Sequence, residues 1–239
     1  MSVELPAKMT GPNLRVRNIK PRFAWLVISQ IILIVCSPIL HELEGLGILI
    51  IALLETAVPL TLILAFSSDR RHFRYTLLLA VFFIFFNWSN AVFGGHLFRF
   101  ASYGLGALFC LYALSIMLGY MFRQSVVTTD TVLGGISIYL LLGQFYAILF
   151  GLIERIHPGS FFSSNTLDLT YYSFVALTST GYGDIVPITA FARSVAILET
   201  VTGVLYIAIF VGSLVGLRIA QRAEPVDKSG TVPHSKDAP

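Results

Sequence analysis

The residues best placed to do chemistry form a short run, Ser179-Thr180-Gly181-Tyr182-Gly183, in which two glycines alternate with larger residues. Glycine enters left-handed backbone conformations at little steric cost, so this alternation lets successive carbonyl oxygens point the same way. A row of aligned carbonyls replaces the hydration shell of a permeating cation such as potassium. Tyr182 would hold such a row open by packing outward, and the Ser179 hydroxyl would complete its innermost position. Just before the run lies an apolar stretch from Thr166 to Thr178. As a helix it measures only ~20 Å, too short to cross the ~30 Å of hydrocarbon in a bilayer. We therefore read it as re-entrant, capped by Asn165 or Thr166, with Asp168 in the first turn where the helix dipole is positive. Non-helical backbone at membrane depth is tolerated only where it lines a wet cavity or is buried in protein. A water-filled path is thus expected at Gly181–Gly183, with the negative end of the short helix aimed at it and favouring a cation.

The elements that must position this run are written in the composition. Of 239 residues, 56% are hydrophobic and 12% charged, about half the usual charged share of a soluble domain, which excludes an ordinary water-soluble globule. The apolar residues fall into six long runs: Phe23–Leu40, Leu46–Phe66, Tyr75 to about Asn90, Ser102–Phe122, Val132–Ile153 and Ala190–Ile219. The first follows 22 mostly polar residues and lacks a small-x-small cleavage site, so it reads as a retained helix, not a signal peptide. The expected fold is an all-α integral membrane protein of six transmembrane helices plus one re-entrant pore helix and loop.

Basic residues set the orientation. Lys8, Arg15, Arg17, Lys20, Arg22, then Arg70, Arg71, Arg74, then Arg123, then Arg218, Arg222, Lys228 and Lys236 fall on one side of a six-span alternation. Only Arg99, Arg155 and Arg193 fall on the other. Both termini are therefore expected in the cytoplasm. The net charge of +3 sits at segment ends, which argues against nucleic acid as a partner; the densest basic group, Arg70, Arg71, His72 and Arg74, suits contact with anionic membrane lipids, and a topology signal alone explains it equally well. Cys36 and Cys110 lie inside apolar runs with no metal or disulfide spacing, and the five histidines have no ligand partners at metal spacing.

The stretch Tyr171-Tyr-Ser-Phe-Val-Ala-Leu-Thr-Ser-Thr-Gly-Tyr-Gly-Asp184, continued by Ile185-Val-Pro187, resembles the pore helix and selectivity filter of the potassium channel superfamily, whose signature reads T-x-x-T-x-G-Y-G. The resemblance covers roughly Val132 to Arg222. It implies that carbonyls of Ser179, Thr180, Gly181 and Tyr182 bind K+, with Gly183 at the outer mouth. It further implies that Tyr171 and Tyr172 form an aromatic cuff, that Thr178 and Asp184 support the filter, and that Gly203 is the gating hinge of the inner helix; Glu199, behind the filter on this alignment, would support the pore helix and filter by a hydrogen bond, with a gating role as the alternative. A homotetramer follows from the same resemblance, because one chain supplies one strand of a four-strand ring. So does residence in the plasma membrane, and no cofactor beyond the permeant ion is implied. Two positions depart from the signature: Ala176 and Ser179 stand where the family has threonine.

The expected organisation is a tail, 1–22; a four-helix region, 23–122; a linker, 123–131; a pore unit, 132–222, with outer helix 132–153, pore helix 166–178, filter 179–183 and inner helix 190–219; and a disordered tail, 223–239. The fourth run carries no Lys or Arg from Ser102 to Phe122, so a conventional voltage sensor is not expected. Glu55, in the middle of the second run, is a candidate proton or ligand sensor, with a hydrogen-bonded structural carboxyl as the alternative. Gly212 and Gly216 suit close helix packing, and Pro38 and Pro59 are expected to kink their helices. A weakly selective cation channel and a regulatory subunit are the other readings within this class. A secondary transporter would need an internal repeat that the sequence does not display.

Overall fold

The computed structural model describes residues 22–41, 43, 45–66, 70–124, 127–163 and 168–223. The two tails and the expected cap residues Asn165 and Thr166 lie outside them. The described chain folds into seven helices and one small ribbon: α1 (Ala24–His41), α2 (Leu46–Ala65), α3 (Arg70–Phe93), α4 (His96–Met121), α5 (Thr129–Ile156), β1 (Phe161–Ser163), α6 (Leu169–Leu177), β2 (Ile185–Pro187) and α7 (Ala190–Ala223). Five helices are long and apolar enough to cross a membrane: Leu46–Ala65, Phe73–Phe93, His96–Met121, Thr129–Ile156 and Ala190–Ile219. The apolar part of α1, Ala24–Leu40, is shorter.

Helix ends correct the sequence reading in several places. Arg70 to Arg74 belong to the start of α3, and Arg99 lies in the first turn of α4, because charge alone does not stop a helix. What stops α3 is the pair Gly94 and Gly95, whose φ values of 64° and 95° suit only glycine. The helix α5 begins inside the expected linker, at Thr129. There Thr128 and Thr131 exchange side-chain-to-backbone bonds in a capping box.

Helices α1 to α4 pack in chain order, each against the next, and both α1 and α4 lie on α5; α5 in turn carries α6 and α7. Phe23, Leu26, Leu62, Phe109, Met117 and Leu141 are the centre of a first core. A second core joins Phe150, Phe161 and Tyr172, whose ring centroids stand 5.0–5.4 Å apart, to Ile185 and Ala192. It lies beneath the antiparallel ribbon, in which Phe162 opposes Val186. Sequence gave no sign of that ribbon. Glu154 helps to fold the chain into it, accepting from the backbone N–H of Gly159 at 2.7 Å and of Phe161 at 3.1 Å.

Three glycines of α5, eight residues apart, make the close contacts possible. The ring of Phe210 from α7 covers Gly135, that of Phe174 from α6 covers Gly143, and that of Tyr103 from α4 covers Gly151. A Cβ added at Gly143 would lie 2.5 Å from the Phe174 ring. At the third contact Arg155 stacks on Tyr103, its Cζ 4.3 Å from the ring centroid, and donates to the phenol oxygen at 3.0 Å.

Candidate functional site

The helix α6 starts later than its apolar pattern suggests. Asp168 is its N-cap and not a first-turn residue: one carboxylate oxygen accepts from the N–H of Thr170 at 2.9 Å and of Tyr171 at 3.0 Å. The helix ends at Leu177, and the turn that follows folds back onto it. Ser179 N–H donates to Ala176 O and Thr180 N–H to Val175 O, both at 2.9 Å. Thr178 Oγ1 donates to Phe174 O at 2.7 Å and lies 2.9 Å from Thr180 Oγ1.

Beyond that turn the backbone alternates. Ser179, Gly181 and Gly183 have φ of 57°, 62° and 81°, while the residues between them keep ordinary negative values. Ser179 is the one non-glycine residue with positive φ among the described residues, a conformation that costs an L side chain on the order of 1 kcal/mol. A β-branched threonine would be more strained at that φ. Side chains from Thr178 to Asp184 are exposed in the single chain, and Tyr182 is 72% exposed.

The two tyrosines expected to form one cuff separate. Tyr171 pairs its hydroxyl with Asp184; desolvation first, then the Asp184 carboxylate, hold its phenol above the ordinary range. Tyr172 turns the other way and is buried against Phe150 and Phe161. Adjacent positions on a helix point about 100° apart, so one face cannot hold both.

Behind α6 Glu199, expected to support this helix, meets partners that the sequence does not single out. Ser173 and Glu199 are fully buried, and Ser173 Oγ lies within hydrogen-bond distance of Glu199 Oε1 and, at 2.7 Å, of Gly143 O on α5. Tyr139 donates to Leu177 O at 3.3 Å, and Thr200 to Ala176 O at 3.4 Å. Gly203 lies in an unbroken helix, where an added Cβ would come 2.5 Å from Leu177 O. The sequence marks this cluster only by the polar pair Glu199 and Thr200 with Gly203 one turn on along α7, and by a lone serine in the short apolar helix α6.

Elsewhere, Glu55 of α2 faces Asn87 of α3 and Cys110 of α4. Among the described residues no group of three His, Cys, Asp or Glu is placed to hold a metal ion.

Residues 127–217, less than half of the chain, match the model of a family described as ion channel. The match takes in α5, the ribbon, α6, the alternating backbone and most of α7. Comparison with curated proteins and with solved structures gives no match. Over α5 to α7 the chain is therefore similar to an ion channel, a non-enzymatic protein class that conducts ions passively, and its long apolar helices fit a multi-pass protein of the membrane.

Proposed function

We propose that this chain is the subunit of a potassium-selective channel, a homotetramer in which four copies of the run Ser179–Gly183 surround one ion path. The observation that carries the reading is the alternation of positive φ at Ser179, Gly181 and Gly183 directly after a capped nine-residue helix. Alternation of this kind turns the carbonyls of Ser179, Thr180, Gly181 and Tyr182 to one side, where they take the place of ion-bound water. One strand encloses nothing; a ring of neutral oxygens around one ion needs several, and rotational symmetry supplies them.

In this reading α1 is a sixth, short span met by local thinning of the bilayer, both termini are cytoplasmic and the membrane is the plasma membrane. Asp184, held by Tyr171, fixes the outer mouth, and Gly203 is the point at which α7 bends. Because α4 carries no Lys or Arg between Arg99 and Arg123, the four-helix region does not act as a conventional voltage sensor. The basic start of α3 is the segment whose charge best suits anionic lipid headgroups.

Potassium efflux from liposomes holding the purified full-length chain tests the proposal. Barium-sensitive efflux is expected from the wild type and none above empty liposomes from Gly181→Ala; equal efflux from both would sink the filter assignment. Ser179 at the innermost ring favours one second reading, weak selectivity among cations. Reversal potentials in mixed potassium and sodium separate the two.

A further inference from the structure

The contacts of Ser173 carry an inference about a proton. Its hydroxyl oxygen has two oxygen neighbours, Gly143 O and Glu199 Oε1, but only one hydrogen to give. A carbonyl oxygen can only accept, so at 2.7 Å the serine hydrogen must go to Gly143 O. The contact between Ser173 and Glu199 then needs a hydrogen of its own, and the carboxyl is the remaining source. An ionised carboxylate there would set lone pairs against lone pairs.

The surroundings agree with this count. Glu199 is fully buried, and its Oε2 has no hydrogen-bond partner among the described residues, which suits the carbonyl oxygen of a neutral acid better than half of a charge. The ionisable groups that feel Glu199 are the phenols of Tyr139 and Tyr146 on α5 and Tyr172 on α6. Phenols are neutral near pH 7 and supply no counter-charge.

We infer that Glu199 carries a proton and that the hydrogen bond it donates to Ser173 Oγ, together with the bond the serine's own hydrogen makes to Gly143 O, pins the pore helix α6 between the outer helix α5 and the inner helix α7. Glu199 is a positioning residue: it acts on the ion path through α6, whose last turn leads into Ser179. This rests on reading Ser179–Gly183 as the filter. The proton itself is decided by a measurement that does not depend on conduction.

The infrared spectrum of the purified full-length protein at neutral pH, wild type minus Glu199→Gln, is expected to contain the C=O stretch of a carboxylic acid. In Ser173→Ala that band should persist at higher wavenumber, having lost its acceptor. A difference spectrum showing only carboxylate bands would overturn the inference. In liposomes Glu199→Gln, whose amide N–H replaces the acid as donor, is expected to keep potassium efflux within about twofold, whereas Glu199→Ala lowers it about tenfold. Equal loss in the two variants would overturn the pin. Wild-type protein that passes no potassium would refute the channel reading, and the infrared band would still decide whether Glu199 is protonated.

Discussion

Helices α1 to α4 and the unit formed by α5 to α7 are both built from apolar residues, yet they use their polar atoms differently. In the first region the hydroxyls turn back on their own helices: Ser29 to Leu26 O, Thr56 to Leu53 O, Thr61 to Ala57 O, Ser89 to Phe85 O and Ser115 to Leu111 O. In the second they also cross between elements, from Tyr139 to Leu177 O, Tyr206 to Gly135 O, and between Tyr146 and Thr202. A bond within one helix survives any shift of that helix as a body, whereas a bond between helices fixes their register. Among the described residues, more of the bonds between elements lie in α5 to α7 than in the first four helices. The four-helix region relies more on shape, with cross-links at Ser29 and Thr61, at Glu55 and Asn87, at Gln30 and Ser137 O, and at Arg155 and Tyr103.

The sharpest way to break this comparison is at the site itself. Gly181→Ala puts a side chain at φ 62° and should abolish potassium efflux while the protein still folds, as judged by size-exclusion elution in detergent. Next comes the joint between the regions: Gly151→Ala forces the Tyr103 ring out of its seat and should lower stability by about 1–3 kcal/mol, read as a shift in thermal unfolding. Tyr206→Phe removes the donor to Gly135 O, 2.7 Å away, and should cost about 1 kcal/mol. The smallest effect belongs to the first region. Ser115→Ala deletes a bond that never left α4 and should stay within about 0.5 kcal/mol of wild type. Should Ser115→Ala cost as much as Tyr206→Phe, the distinction between the regions fails.

Much of this arrangement is legible in the sequence because the bilayer restricts what a chain can do. Long apolar runs mark the five helices long enough to span a membrane, and the run before Gly181-Tyr182-Gly183 is too short to do so and forms a helix of nine residues. What stayed hidden depends on choices among near-equivalent neighbours. Asn165, Thr166 and Asp168 are all good caps, and the chain uses Asp168 for Leu169–Leu177. Tyr171 and Tyr172 differ by one position, and only packing decides that one meets Asp184 while the other enters the core. Strands of three residues, Phe161–Ser163 and Ile185–Pro187, are too short to show a period. Glu199 stood out as an acid in an apolar helix, but its partner Ser173 lies 26 positions away on another helix, and no local pattern joins them.

The seats at Gly135, Gly143 and Gly151 also have a mechanical meaning. Each admits a ring from a different element, α7, α6 and α4, at successive levels along α5. A helix engaged in this way cannot rotate about its axis or slide along it without unseating three rings at once. Helix α5 is therefore the stator of the molecule. Displacement of α7 or of the four-helix region is displacement relative to α5, and the first cost of any such movement is the withdrawal of Phe210 or Tyr103 from a socket that a single methyl group would close.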